Sequence, residues 1–118
     1  MLNKIRELLE EFGYQVFYGR SLAKEKDDWN YFVFNKDRIK KSGTSKKDFN
    51  KYFQIHFIHE EYIPEDFEFE IIKKIEENTK LKLSDRDVEF NYMLKNNTDL
   101  IVEMCTVEFT LPKKGCDV

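Results

Sequence analysis

The chain of 118 residues is poor in small and turn-forming residues, with one alanine, four glycines and two prolines. The glycines stand at positions 13, 19, 43 and 115, a spacing that cannot build a phosphate-cradling loop. No run of 18 apolar residues occurs, so we expect no membrane-spanning segment and no membrane partner. The two cysteines, Cys105 and Cys116, form no CxxC motif, which is typical of reduced thiols in a cytosolic protein.

The residues that are abundant are aromatic and charged. Eleven Phe, six Tyr and one Trp stand against the single alanine, and this balance favours sheet over helix. A hydrophobic share of 41% is enough for a single domain of this length to build a core. The net charge of -3 argues against a globally basic nucleic-acid binder, although a local basic patch could still bind nucleic acid.

Two helices are predicted from apolar spacing. The apolar residues of Leu2–Phe12 recur at intervals of three and four, and Gly13 can close that helix in a left-handed conformation. Pro64 can open a second helix over Pro64–Asn78, where the acids of the first turns match the positive end of the helix dipole. Both helices need an apolar surface on which to dock, because helices this short are marginal alone.

Strands are predicted in the remaining apolar or alternating segments. The polar stretch Asn35–Lys51 is predicted to be either a β-hairpin or an extended flexible loop. The predicted strands are Tyr14–Tyr18, Trp29–Phe34, Phe49–His59, Val88–Leu94 and Leu100–Leu111. The order α-β-β-β-α-β-β predicts an α+β fold with two helices packed on one face of a mostly antiparallel sheet. Residues 1–112 should form one domain, and residues 113–118 a flexible tail.

The sequence contains few of the residue patterns that are typical of catalytic or metal-binding sites. His56, His59, Glu60 and Glu61 have metal-ligand chemistry, but residues three apart on a strand point to opposite faces. The serines lack nucleophile-elbow glycines, and Cys105 falls in a predicted buried strand, where a thiol is usually inert. We therefore expect no catalytic residue, no metal and no cofactor.

Charge is distributed unevenly along the chain. Between Lys36 and Lys51 seven cations face two acids, a local charge of +5, whereas Glu60–Glu70 carries six acids and no cation. Three interpretations are open. Both segments could be solvated surface, or the basic segment could bind nucleic acid. Alternatively, the basic segment of one copy of the chain could contact the acidic segment of the next copy, head to tail. The last interpretation predicts an interface through Lys36, Arg38, Lys40, Lys41, Lys46, Lys47, Glu60, Glu61, Glu65, Asp66 and Glu68.

The size, the element order, the polar loop after the second strand and the long final strand together resemble the tail terminator and head–tail joining proteins of long-tailed bacteriophages. The resemblance spans residues 1–112, and it matches the family's mobile loop to Asn35–Asp48. It implies a subunit of a hexameric ring at the head-proximal end of the tail tube, which stops tube polymerisation and allows head joining. The implied partners are further copies of the chain, the tail-tube protein and the head–tail connector.

The same resemblance implies a structural protein without catalytic residues, located in the virion tail and, during assembly, in the host cytoplasm. It implies no sequence-specific binding of nucleic acid. Two alternatives stay open on the residues. One is a small acidic immunity or inhibitor-type module that uses Glu60–Glu70 to block a basic partner, and the other is a nuclease or nucleic-acid binder that uses the lysine-rich segment.

Overall fold

The fold of the chain is given by a computed structural model that describes residues 1–24, 27–41 and 49–113. Within these residues it contains two helices and six strands. Their bounds are α1 Leu2–Glu10, β1 Gln15–Tyr18, β2 Tyr31–Lys41, β3 Phe49–Glu60, α2 Phe67–Asn78, β4 Lys82–Leu83, β5 Glu89–Leu94 and β6 Ile101–Lys113. This confirms the α+β class.

The six strands form one sheet of order β1-β2-β3-β6-β4, with β5 also paired to β6. Only β1 and β2 run parallel, and all other neighbours are antiparallel. The β3–β6 ladder is continuous over twelve pairs, from Phe49 opposite Lys113 to Glu60 opposite Val102. The β2–β3 ladder shifts register between Lys36 and Arg38, which marks a bulge.

Both helices pack on one face of this sheet. Buried residues of α1, α2 and the facing strands form a single core: Ile5, Leu8, Leu9, Phe32, Phe34, Phe53, Ile55, Phe57, Ile63, Phe67, Ile71, Ile75, Leu81, Cys105, Val107 and Phe109. A smaller cluster of Tyr31, Val33, Ile58 and Val102 lies apart from it and packs against Ala23 and Trp29 of the β1–β2 connection. The helix-bearing face is called the inner face below, and the opposite one the outer face.

Several predicted element bounds were wrong. The second helix starts at Phe67 and not at Pro64, because Asp66 takes a left-handed conformation (φ 67°) that a helix cannot continue through. The first helix ends at Glu10, and Gly13 has the positive φ of 90° expected of it. The short strand β4 was not predicted, so the observed order is α-β-β-β-α-β-β-β.

The structure distinguishes the two interpretations of the polar stretch for residues 35–41. These residues continue β2 because each pairs with β3, apart from Asp37 at the bulge. The hairpin interpretation is therefore confirmed for these residues, and residues 42–48 lie outside the described part of the chain. β6 continues to Lys113, and the rest of the predicted tail, residues 114–118, also lies outside it.

The helices are much shorter than the strands that they cover. At about 1.5 Å per residue, α1 and α2 span about 14 and 18 Å, whereas β2, β3 and β6 span roughly 35–43 Å at about 3.3 Å per residue. The inner face of the sheet therefore extends beyond the helices. Exposed apolar side chains lie on these uncovered parts, among them Ile39 and Phe49 on one side and Leu94 and Ile101 on the other.

Candidate functional site

The basic end of the molecule is an extended β-arm, formed by residues 36–41 of β2 and 49–53 of β3. Lys36, Lys40 and Lys41 are exposed on it, and Lys51 is half-buried. The bulge after Lys36 changes the alternation, so Arg38 and Lys40 lie opposite the outer-face residues of β3 while Ile39 lies opposite Lys51. The predicted interface residues Lys46 and Lys47 lie outside the described residues.

Arg38 differs from the arm lysines because it is already engaged within the chain. Its guanidinium lies 3.9 Å from the ring centroid of Tyr52, it pairs with Asp37, and its Nη1 is 3.0 Å from Oε1 of Glu108. The hydrogen bond to Asp37, together with the charge of Glu108, raises the pKa of Arg38. The charges of the arm that face only solvent are therefore those of its lysines.

The acidic end comprises the end of β3, the following loop and the first turn of α2. Glu61, Glu65, Asp66 and Glu70 are exposed and Glu68 is half-buried. The acids of the first helical turn lie where the helix dipole favours negative charge, as predicted. Two aromatic side chains, Tyr62 and Phe69, are exposed among these acids.

Glu60 belongs to the acidic end in sequence but is held inside the chain. Its Oε1 is 2.6 Å from Nζ of Lys95 and accepts a hydrogen bond from the backbone N–H of Trp29. The hydrogen bond from Lys95 is the main reason that the pKa of Glu60 is lowered. Lys95 is itself buried and also donates to the carbonyl of Asp27, so this ion pair fastens the β1–β2 connection to the sheet.

The basic arm and the acidic end lie at opposite ends of β3. Its twelve residues begin in the arm at Phe49 and finish at Glu60, a separation of roughly 35 Å at about 3.3 Å per residue. The molecule is elongated in keeping with this, with principal extents of 51 × 25 × 24 Å. At that distance, screening at physiological ionic strength prevents the two ends of one copy from neutralising each other.

The outer face of the sheet carries a polar network that the sequence analysis did not identify. Glu108 has a side chain only 1% exposed and is bracketed by Arg38 and by Arg86, whose Nη1 is 3.3 Å from Oε2. The signal was present in the sequence, because Thr106, Glu108 and Thr110 alternate with the apolar residues of β6. Their polar side chains share the outer face with the smaller apolar cluster of Tyr31, Val33, Ile58 and Val102.

His56 lies in the same network. Its Nδ1 is 2.8 Å from the hydroxyl of Thr106, and its Nε2 is 3.0 Å from Oδ1 of Asn35. Since the amide oxygen can only accept, the ring proton belongs on Nε2 and Thr106 donates to Nδ1. Burial, with a smaller contribution from Arg86, lowers the pKa of His56 below its usual 6.5. His59 lies against Tyr14 and Phe57 on the inner face, so the two histidines point apart as predicted.

Because its pKa is lower in the folded chain, His56 makes the free energy of unfolding depend on pH. The unfolded chain takes up the proton at a higher pH than the folded one, so the contribution of His56 is complete above about pH 6.5 and is lost as the pH falls through its folded-state pKa. His56→Gln should therefore flatten the decline in the free energy of unfolding between about pH 7 and pH 5. Urea unfolding at several pH values measures this, and an equal decline in wild type and His56→Gln would contradict it. His59→Gln is the matched control.

The described residues contain neither a reactive thiol nor a metal-ligand cluster. Burial raises the pKa of the Cys105 thiol to about 12, so this cysteine is protonated at neutral pH and a poor nucleophile. Among residues 1–24, 27–41 and 49–113, no three His, Cys, Asp or Glu side chains are arranged so that they could hold a metal ion. Neither helix in the described part of the chain is long and apolar enough to cross a bilayer.

Of the predicted interface residues, the structure places Lys36, Arg38, Lys40 and Lys41 together on the arm, and Glu60, Glu61, Glu65, Asp66 and Glu68 together at the opposite end. Ile39, Phe49, Tyr62 and Phe69 are apolar side chains exposed among these charges, and none of them was predicted as an interface residue. Comparison of the chain with protein-family models and with curated proteins finds no match.

Proposed function

We propose that the chain is a structural subunit that associates head to tail with copies of itself into a ring. The observation that carries this proposal is the separation of opposite charges at the two ends of β3. A copy cannot bring its own ends together, but the arm of one copy can meet the acidic end of the next. A contact between two different surfaces is heterologous, and repeated around a rotation that closes it forms a ring.

The ring is proposed to be that of a tail terminator or head–tail joining protein of a long-tailed phage or prophage. In that role it would bind the head-proximal end of the tail tube, stop polymerisation and present a surface to the head–tail connector. The α+β architecture supports this assignment, since it belongs to the resemblance. Chemistry at a single side chain has no part in this function.

Microscopy and genetics test the proposal together. Negative-stain images of the purified protein at high concentration should show closed rings, and sedimentation should give one discrete oligomer. In the phage or prophage that carries the gene, deletion should leave tails that lack a terminated end and do not join heads. Normal tails after deletion, or a protein that stays monomeric at all concentrations, would count against the proposal.

A second candidate function, the inhibitor or immunity module, is favoured by one observation. Tyr62 and Phe69 are exposed among the acids of α2 and the preceding loop, as in surfaces that bind a basic partner. The two candidates differ in stoichiometry. In a pull-down, an inhibitor would bind one basic enzyme in a one-to-one ratio and would itself be a monomer. A ring subunit would instead bind further copies of itself.

A further inference from the structure

The inner face of the arm contains a groove that no segment of the described chain fills. The groove has a volume of about 460 Å³ and lies between the start of α1 and the projecting strands β2 and β3. It exists because α1 begins at Leu2 while the strands continue past it. The volume is within the roughly 300–1,000 Å³ of typical ligand pockets, so it can accept a large side chain with its neighbours.

The lining of the groove combines an apolar floor with a cationic rim. Leu2, Ile39 and Phe53 supply the apolar surface, and Ile39 is 65% exposed. Lys36 and Lys51 supply the free charge, because Arg38 and the single acid of the lining, Asp37, are paired with each other. A groove of this kind selects a partner that offers an apolar group surrounded by carboxylates.

The acidic end of the chain itself has that chemistry. Phe69 is 63% exposed, which makes it the most exposed of the 11 phenylalanines. It lies in the first turn of α2, next to Glu68 and Glu70 and one turn from Glu65 and Asp66. An aromatic ring with carboxylates on each side is complementary to the floor and the rim of the groove.

We propose that the groove of one copy receives Phe69 of a second copy, with the acids around Phe69 paired to the lysines of the rim. This inference rests on the proposed head-to-tail association and names the contact that makes it. Burial of the ring would supply the affinity, and the charges would set the orientation and reject an arm-to-arm or end-to-end contact.

Disulfide trapping tests the contact directly. In a Cys116→Ser background, one preparation carries Ile39→Cys and a second carries Glu70→Cys, which leaves the adjacent Phe69 ring in place, and the two are mixed under mild oxidation. Because a disulfide requires Cα atoms within about 7 Å, trapping reports docking in the groove. A third preparation with Tyr92→Cys, 63% exposed on β5, is the control for random collision. The Ile39–Glu70 pair should crosslink about tenfold or more over the Ile39–Tyr92 pair, since docking raises the effective concentration of the thiols.

The outcomes separate this inference from the proposed function. If the wild-type protein forms rings and the Ile39–Glu70 pair crosslinks no better than the control, the groove assignment is wrong and head-to-tail association stands. Preferential crosslinking of Ile39→Cys to itself would show an arm-to-arm dimer and overturn both. A wild-type protein that stays monomeric by sedimentation, with no selective crosslink, also overturns both.

Discussion

Reversing three lysines of the arm should abolish self-association while leaving the fold intact. The variant changes Lys36, Lys40 and Lys41 to Glu, all of them exposed and none of them in an ion pair that the structure shows. In the assembled state each new carboxylate would face the acids of the neighbouring copy, and juxtaposed like charges cost several kcal/mol. At about 1.4 kcal/mol for each factor of ten, association should weaken on the order of 100-fold or more. Sedimentation velocity measures the loss.

The matched control changes Lys24, Lys80 and Lys82 to Glu, an equal change in charge at exposed positions outside the arm and outside the first turn of α2. It should assemble as the wild type does. Arg38 is left unchanged in both variants, because it holds the buried carboxylate of Glu108. If the control lost assembly as fully as the arm variant, net charge alone would explain the effect, and the arm would have no specific role. High salt should weaken the wild-type assembly in the same direction.

Phe57→Ala should cost about 3–5 kcal/mol in the free energy of unfolding. The Phe57 side chain is fully buried at the centre of the inner-face core. Its ring centroid lies 4.7 Å from those of Phe32 and Phe67 and 5.0 Å from that of Tyr14. One substitution therefore removes contacts to β2, to α2 and to the segment after α1. The melting temperature should fall by more than about 10 °C in differential scanning calorimetry.

Phe69→Ala is the matched control for this prediction, since it removes the same side chain from an exposed position. It should change the free energy of unfolding by no more than about 0.5 kcal/mol. A stability loss as large as that of Phe57→Ala would show that Phe69 packs within its own chain. In the proposed assembly Phe69→Ala weakens self-association and leaves the free energy of unfolding nearly unchanged. Phe57→Ala, in contrast, lowers the free energy of unfolding.

Much of the fold could be predicted because apolar periodicity records which side of each element is buried. Phe53, Ile55 and Phe57 alternate with polar or exposed positions along β3, and all three lie in the inner-face core. Phe67, Ile71 and Ile75 recur every four residues and form the buried stripe of α2. Each of these patterns lies within one helix or strand, because the spacing of its own apolar residues indicates which side is buried.

The arm was harder to predict for the same reason. Residues 36–41 are all exposed, so no apolar alternation marks them as strand, and their conformation depends on pairing with residues 49–53 farther along the chain. The ion pair between Glu60 and Lys95 is also invisible in the sequence, because 35 positions separate its partners. The candidate charges could be found from composition, whereas the groove could not, since it depends on where α1 begins relative to the arm.

Mixing two variants, each blocked at one end, tests head-to-tail association most directly. The first is the arm variant described above, and the second replaces Glu61, Glu65 and Glu68 with Ser at the acidic end. Each retains one intact surface, and these two surfaces are complementary to each other. Each variant alone should sediment as a 14.3 kDa monomer, and the mixture should form a one-to-one heterodimer and nothing larger. A mixture that stays monomeric, or a variant that dimerises with itself, would contradict the account.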